Sequence, residues 1–240
     1  MPCIPMEEKL TIVIPCKNEE KYIFATLESL ARQNIGSTQI YLADANSTDL
    51  TVSRAKMASF LFNLNLKIIP GGKVAEGRNA GASLAKTPYV LFLDADVTFT
   101  PHMNLNSCVQ KMGGKTKLLS TTPVSRAEGD WKAEILFCLN RWGTTLISQK
   151  EPFAVGSFTM VDRESFWSKG GFDPEVKHTE DWLLSRQFES EEFCLIPNLI
   201  TQDSRRFKRF GYLKMANLVI RNWQNRNKRD YFLKEAGYWI

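Results

Sequence analysis

The stretch Tyr89-Val90-Leu91-Phe92-Leu93-Asp94-Ala95-Asp96 decides the reading of this chain, because an unbroken apolar run of strand length stops at two carboxylates one residue apart. A run that apolar suits a parallel strand covered on both faces, and in open α/β sheets ligands gather beyond the carboxyl ends of such strands. Two ionised aspartates this close repel each other, so a hard divalent cation bound through oxygen is their natural partner. Magnesium or manganese bridging a phosphate fits. The competing reading is that Asp94 and Asp96 only cap the strand and solvate a turn.

Upstream of this run the pattern alternates. Leu10 to Pro15 reads as a buried strand, Glu19 to about Gln33 as a helix, Gln39 to Ala43 as the next strand, and Ser47-Thr48-Asp49 as capping residues of a helix through about Phe62. Leu66 to Ile69 gives a short strand, Glu76 to Ala85 a helix, and Pro88 to Leu93 the strand that delivers the two aspartates. Such alternation predicts parallel strands joined by right-handed crossovers. Beyond Asp96 the regularity weakens. Pro101 to Met112 and Ala127 to Ile147 read as helices, Leu118 to Pro123 and Ala154 to Val161 as extended segments, and Gly170-Gly171 as a break before Phe172-Asp173. The expected organisation is one α/β domain over 1–207 with two functional halves, about 10–96 and 97–207, and a basic helical extension over 208–240.

Composition narrows the class. At 240 residues the chain is long enough for one sizeable α/β domain with a helical appendage. No apolar run approaches the roughly 18 residues of a spanning helix. Glu7 and Glu8, in an opening segment without an apolar core, argue against a signal peptide. Five cysteines without metal-ligand spacing argue against a disulfide framework or a zinc site and for a reduced, cytoplasmic setting.

The net charge of +5 is unevenly spread: from Arg205 onward ten basic residues face two acids, a net +8 that leaves the preceding body at −3. That asymmetry points to an anionic partner for the tail, whether phosphate, acidic lipid or nucleic acid. In the tail Phe210, Tyr212, Leu213, Ala216, Leu218, Val219, Ile220 and Trp223 interleave with Lys214, Arg221 and Arg226. On a helix this arrangement suits an anionic membrane surface at the inner face of the membrane, and it equally suits an apolar face packed on the protein's own body. No recognised nucleic-acid module accompanies it, which disfavours that partner.

Further polar clusters fall at the loop positions the alternation predicts. Asn18-Glu19 follows the first strand and Asp44-Ala45-Asn46-Ser47-Thr48-Asp49 the second, at the same sheet edge as Asp96. Asp44 has the chemistry to accept from a base N–H, while Ser47 to Asp49 are sufficiently explained as a helix cap. Gly77-Arg78-Asn79-Ala80-Gly81 sets a guanidinium near a helix start, able to approach a diphosphate or to stay a solvated surface cation. His178-Thr179-Glu180-Asp181-Trp182 offers a carboxylate as general base toward an acceptor hydroxyl, or acids that complement a helix N-terminus; His178 reads as a loop histidine or a third metal ligand.

Taken in order, Ile14-Pro15-Cys16-Lys17-Asn18-Glu19-Glu20, Asp44 to Asp49, Gly77 to Gly81, Asp94-Ala95-Asp96, Gly170-Gly171-Phe172-Asp173 and Glu180-Asp181 resemble the ordered signatures of family 2 glycosyltransferases with the GT-A fold, over about residues 10 to 207. The resemblance implies a mixed, mostly parallel sheet with a Rossmann-like N-terminal half flanked by helices. It implies a UDP- or GDP-sugar donor, Mn2+ or Mg2+, and inverting transfer to a hydroxyl acceptor, lipid-linked or glycan. Carried onto this sequence, it implies that Pro15, Asn18 and Glu19 border the nucleoside, Asp44 contacts the base, and Arg78 lies near the diphosphate or shapes its pocket. Asp94 would face the ribose or metal, Asp96 would ligate the metal, and Asp181 would be the base. Gly156, Ser157 and Glu180 would wall the donor sugar and acceptor, and Arg205 and Arg206 would reach the diphosphate. Asp203-Ser204-Arg205-Arg206-Phe207 lacks the Gln-x-x-Arg-Trp pattern of processive synthases, which implies transfer of one sugar at a time.

Other classes fit less well. A nucleotidyltransferase would carry a Gly-rich loop directly after the first strand, and a dinucleotide oxidoreductase a Gly-x-Gly-x-x-Gly there; this chain has Cys16-Lys17-Asn18-Glu19-Glu20. A nucleotide-sugar-binding scaffold without turnover keeps the fold, but Asp96 and Asp181 weigh against it.

Overall fold

Parallel pairing follows from the apolar strands. In the computed structural model, which describes residues 5–126 and 130–234, β1 (Leu10–Cys16) pairs in parallel with β2 (Ile40–Asp44) on one side and β4 (Tyr89–Leu93) on the other, and β3 (Leu66–Pro70) lies beyond β2. Strand alternation sends Ile12, Ile14, Leu91 and Leu93 to one face, against Ile23, Leu27 and Leu30 of α2 (Ile23–Ala31) and Ala55 and Ala58 of α3 (Thr51–Leu61). Val13, Val90 and Phe92 go to the other face, against Ala75 and Ala82 of α4 (Val74–Leu84) and Phe166 of α7 (Arg163–Ser168). Close approach of α4 depends on Gly81, where a Cβ would stand 2.3 Å from Val13 Cγ1.

The second half extends this sheet rather than forming a separate core. Among the described residues the order is β3-β2-β1-β4-β8-β6-β9, with β8 (Phe158–Asp162) antiparallel to both β4 and β6 (Leu118–Ser120), and β9 (Phe193–Leu195) parallel to β6. A smaller sheet, β5 (Val97–Phe99), β10 (Ile200–Gln202) and β7 (Pro123–Ser125), carries the chain immediately after Asp96. The remaining helices are α1 (Met6–Lys9), α5 (Leu105–Lys111), α6 (Trp131–Ser148), α8 (Glu180–Ser185), α9 (Arg205–Phe210), α10 (Tyr212–Gln224) and α11 (Arg229–Phe232).

Several boundaries differ from the sequence expectation for local reasons. The helix expected from Glu19 begins at Ile23, because the Glu19 and Glu20 amides donate to Thr51 Oγ1 and Asp49 Oδ2 and hold the loop against the start of α3. The helix expected from Pro101 begins at Leu105, capped by Asn104 Oδ1 on the Ser107 amide at 2.9 Å. The strand expected from Ala154 begins at Phe158, since the Ala154 and Val155 amides donate to Ser185 and Ser120 hydroxyls instead of a ladder. Leu118 to Pro123 divides between two sheets, and its Thr121 hydroxyl accepts from the Leu199 amide at 3.1 Å. The expected helix start at Ala127 lies outside the described residues; α6 begins at Trp131, capped by Asp130.

Part of the tail packs on the rest of the protein. Trp223 stacks on Trp182 with centroids 5.9 Å apart, Phe232 and Tyr231 pack on His178, and Met215 is buried. Leu213 and Ile220 stay exposed. Among the described residues no helix is long and apolar enough to cross a membrane.

Candidate active site

Parallel strands deliver their C-terminal loops to one edge, and β1, β2 and β4 place Asn18, Glu19, Asp44, Asp94 and Asp96 there. The first two loops are knitted together: Asn18 donates its amide to Ser47 Oγ and accepts the Thr48 amide on Oδ1 at 2.9 Å. Asn18 takes a left-handed backbone, φ 54°, which asparagine tolerates. Asp44 accepts from the Ser47 amide and hydroxyl and from the Cys16 thiol, so it braces the loop as well as facing the edge. Burial and this carboxylate push the Cys16 thiol well up. Pro15 lies under the turn, near the helical Gly77.

Arg78 is the hub between the two halves. Its side chain is 2% exposed; Nη2 donates to Asp94 Oδ1 at 2.9 Å and to the Gly156 carbonyl at 2.9 Å, and Nη1 donates to Glu180 Oε1 at 2.8 Å. The guanidinium also lies 5.2 Å from the Phe172 ring centroid. Of the roles expected for Arg78, this arrangement accords with shaping the pocket, because both terminal nitrogens already serve protein oxygens. It also explains Glu180: the expected acceptor wall residue is buried and turned toward Arg78.

Next to this hub sits Asp181. Its residue keeps some solvent exposure, while Oδ2 accepts from the Gly156 amide and Oδ1 from its neighbour Trp182 at 2.8 Å. Burial of the carboxyl pushes its pKa up to about 7, the nearby Glu180 charge adds to the rise, and Arg78 opposes it. Gly156 is required for this approach, because a Cβ there would stand 2.8 Å from Asp181 Oδ2 and 3.1 Å from Arg78 Nη2. Gly156→Ala is therefore expected to cost about 1–3 kcal/mol by overpacking. Thermal melts alongside turnover would check it, and an unchanged melt would show that the loop yields freely. Ser157, buried at 3% exposure, accepts the Asp94 amide on its carbonyl at 3.1 Å and has a buried hydroxyl without a hydrogen-bond partner.

A second cluster surrounds Asp96. This residue is 3% exposed; Oδ2 accepts from Arg205 Nη2 at 2.9 Å, and Oδ1 is buried without a hydrogen-bond partner. The same Arg205 nitrogen donates to Glu19 Oε1 at 2.6 Å, and its guanidinium lies over the Tyr22 ring at 4.5 Å. Arg126 reaches the Asp96 carbonyl at 2.8 Å and lies 6.0 Å from the same ring. The Arg206 side chain lies outside the described part.

A divalent cation fits this donor set in one particular way. No group of three His, Cys, Asp or Glu side chains able to hold a metal is found among the described residues. The buried Asp96 Oδ1, which has no hydrogen-bond partner, is a protein ligand ready for it, and magnesium-type ions are commonly held by one or two carboxylates plus phosphate oxygens. His178 takes no part: its Nδ1 meets Thr179 Oγ1 at 2.8 Å and its ring seats Phe232.

Sequence reading missed Tyr22, Arg126 and Asn79 as site-shaping residues. Asn79 accepts the Phe172 amide at 3.0 Å and donates to its carbonyl at 2.7 Å, pinning the Gly170-Gly171 turn to α4. Its place in the Gly77 to Gly81 motif was the available signal; Arg126 stands in no motif.

Comparison with known proteins agrees with the geometry. The family model for glycosyl transferase family 2 matches residues 11–169. The chain belongs to that family. It is 25% identical over 202 residues to 4,4'-diaponeurosporenoate glycosyltransferase of Staphylococcus aureus (strain bovine RF122 / ET3-1), a match covering 77% of this chain and 52% of the relative. The chain thus spans about half the length of that relative. Its fold is similar to S. aureus TarS 1-349 solved with UDP (TM-score 0.60, 18% identity, covering 81% of this chain and 60% of that one). It is also similar to the mannosyltransferase PcManGT from Pyrobaculum calidifontis solved with GDP-Man and Mn2+ (TM-score 0.63, 17% identity, 90% and 66% covered). These likenesses define a GT-A architecture, a mixed and mostly parallel sheet with flanking helices.

Proposed function

We propose that this chain transfers one sugar at a time from a UDP- or GDP-sugar to a hydroxyl acceptor, with inversion and with Mn2+ or Mg2+ as cofactor. The observations that carry this reading are two unlike carboxylates: Asp181, with its pKa near 7, linked through Gly156 and Arg78 to Asp94, and Asp96, two residues beyond Asp94, with a buried oxygen that has no hydrogen-bond partner. An acid near neutrality is suited to take the proton of an acceptor hydroxyl as it attacks. A bound cation would neutralise charge developing on the departing diphosphate. Asp96 would hold that cation together with the donor's phosphates.

In this reading residues 10–96 receive the nucleotide and 97–207 the acceptor. Pro15, Asn18 and Glu19 border the nucleoside, Asp44 offers acceptor capacity to the base, and Asp94 faces the ribose side while Arg78 fixes its orientation. Gly156 and Ser157 line the sugar. Arg205, which donates to Asp96, would meet the diphosphate, with Arg206 next to it in sequence. The acceptor in this reading is lipid-linked or a glycan, reached at the cytoplasmic face of a membrane through the basic extension at 208–240.

Asp96→Asn tests the cation assignment. Calorimetric titration with UDP and GDP is expected to show manganese-dependent binding in the wild type that falls about 100-fold or more in the variant, because a neutral amide cannot supply the charge a hard cation needs. Equal manganese-dependent binding by both proteins would refute the assignment.

A further inference from the structure

Exposed apolar side chains on α6 form a surface that the catalytic site does not use. Trp131, Ile135, Leu139, Trp142 and Leu146 are 63%, 49%, 58%, 68% and 43% exposed. At 3.6 residues per turn they fall within an arc of about 80°, on the side opposite the buried Ala133, Phe137 and Thr144. The stripe runs roughly 22 Å along the helix. Single exposed apolar residues are ordinary, but five in register on one helix face are a contiguous patch.

At one edge of this patch α6 carries the exposed Lys132, and beyond the other edge the exposed Glu134; the larger share of the neighbouring positive charge comes from the segment after Ser204. Asp130, the N-cap of α6, accepts from the Ser204 hydroxyl at 3.2 Å, from the Tyr212 hydroxyl at 3.1 Å and from Lys208 Nζ at 3.3 Å. These bonds clamp α9 and α10 to the base of α6, and from Ser204 to Arg229 the sequence contains no acid. On α10 itself Leu213 and Ile220, seven residues apart and so on one side, are exposed as well. An apolar face carrying two tryptophans beside a purely basic arm is the pattern of a helix lying in the headgroup region of an anionic bilayer. A second copy related by a twofold axis through this patch would instead bring the two basic arms toward each other.

We infer that α6 is the element by which this protein seats on an anionic lipid surface, its stripe entering the interface while α9 and α10 hold the headgroups. The inference extends the membrane setting proposed above from the tail to α6, and it is independent of which sugar is transferred. The test is cosedimentation of the full chain with phosphatidylcholine vesicles with and without phosphatidylglycerol, together with tryptophan emission. The wild type is expected to pellet with the anionic vesicles and shift its emission to the blue. Leu139→Glu/Trp142→Glu, at exposed positions, is expected to melt like the wild type and lose vesicle affinity by about tenfold or more. Lys214→Glu/Arg221→Glu is expected to lose the salt-sensitive part of binding. If the α6 variant binds as the wild type does while the tail variant fails, the tail alone attaches and the α6 assignment is wrong. Absence of vesicle binding by the wild type at low salt overturns both. A dimer that the α6 variant disperses, with vesicles ignored, assigns the stripe to a second copy and also overturns it.

Discussion

Asp181→Asn is expected to lower turnover by about 10²–10⁴-fold while leaving donor affinity within about a factor of two. The asparagine keeps a side-chain oxygen for the Gly156 or Trp182 amide, so the loop geometry survives, but it cannot accept the acceptor's proton. Wild-type kcat is expected to rise with pH up to about 7 and then level off, since the base works only when ionised and its carboxyl is raised to about 7 by burial first and by Glu180 next. That limb should vanish in the variant. Stability carries the matching sign. The folded state holds this proton more tightly than the unfolded chain, whose carboxyl titrates near 3.8, so the contribution is full below that value and is lost as pH rises through about 7. Melts at pH values spanning that range should therefore move in the wild type's favour, relative to the variant, as the medium is acidified. Retained turnover on a true acceptor would reduce Asp181 to an acid that complements the start of α8.

Arg78→Met is expected to destabilise the protein by about 3–5 kcal/mol, the cost of removing one partner from a buried ion pair. With a side chain 2% exposed, Arg78 joins Asp94 of the first half to Glu180 and Gly156 of the second. Without it Glu180, at 8% side-chain exposure, would keep a charge in a site that water barely reaches. The melting temperature should fall by roughly 6–20 °C for a chain of this size. Arg78→Lys should recover only part of that loss, because one ammonium cannot reproduce the two-pronged contact. A melt unchanged in Arg78→Met would free the guanidinium from this structural role and return it to the diphosphate.

How much of this was legible depends on the reach of each interaction in sequence. β1, β2 and β4 could be read because parallel strands covered on both faces are continuous apolar runs, and their acids follow at the ends. Asp44, Asp94 and Asp96 were therefore found as candidates, and Asp181 through the Glu180-Asp181 pair that follows the Gly170-Gly171 break. Which residue pairs with which was not legible: Arg78 and Glu180 lie 102 positions apart, Arg205 and Asp96 109, and no periodicity connects them. Arg78 consequently read as a surface cation, a diphosphate contact or a residue shaping the pocket, and its burial between Asp94 and Glu180 was not legible. Arg126 stands outside every motif, and only the fold brings it to the Asp96 carbonyl. In α6 the apolar spacing marks a helix but cannot tell which apolar side turns inward. Ala133 and Phe137 do so, while two tryptophans face solvent.

Release of nucleoside diphosphate from UDP- and GDP-sugars, measured with and without manganese, tests the central claim most directly, because slow transfer to water needs no knowledge of the acceptor. The account predicts metal-dependent release by the wild type from at least one donor, with both Asp96→Asn and Asp181→Asn reduced to background. Donor that binds but is never cleaved, or release that continues unchanged in Asp181→Asn, would contradict it.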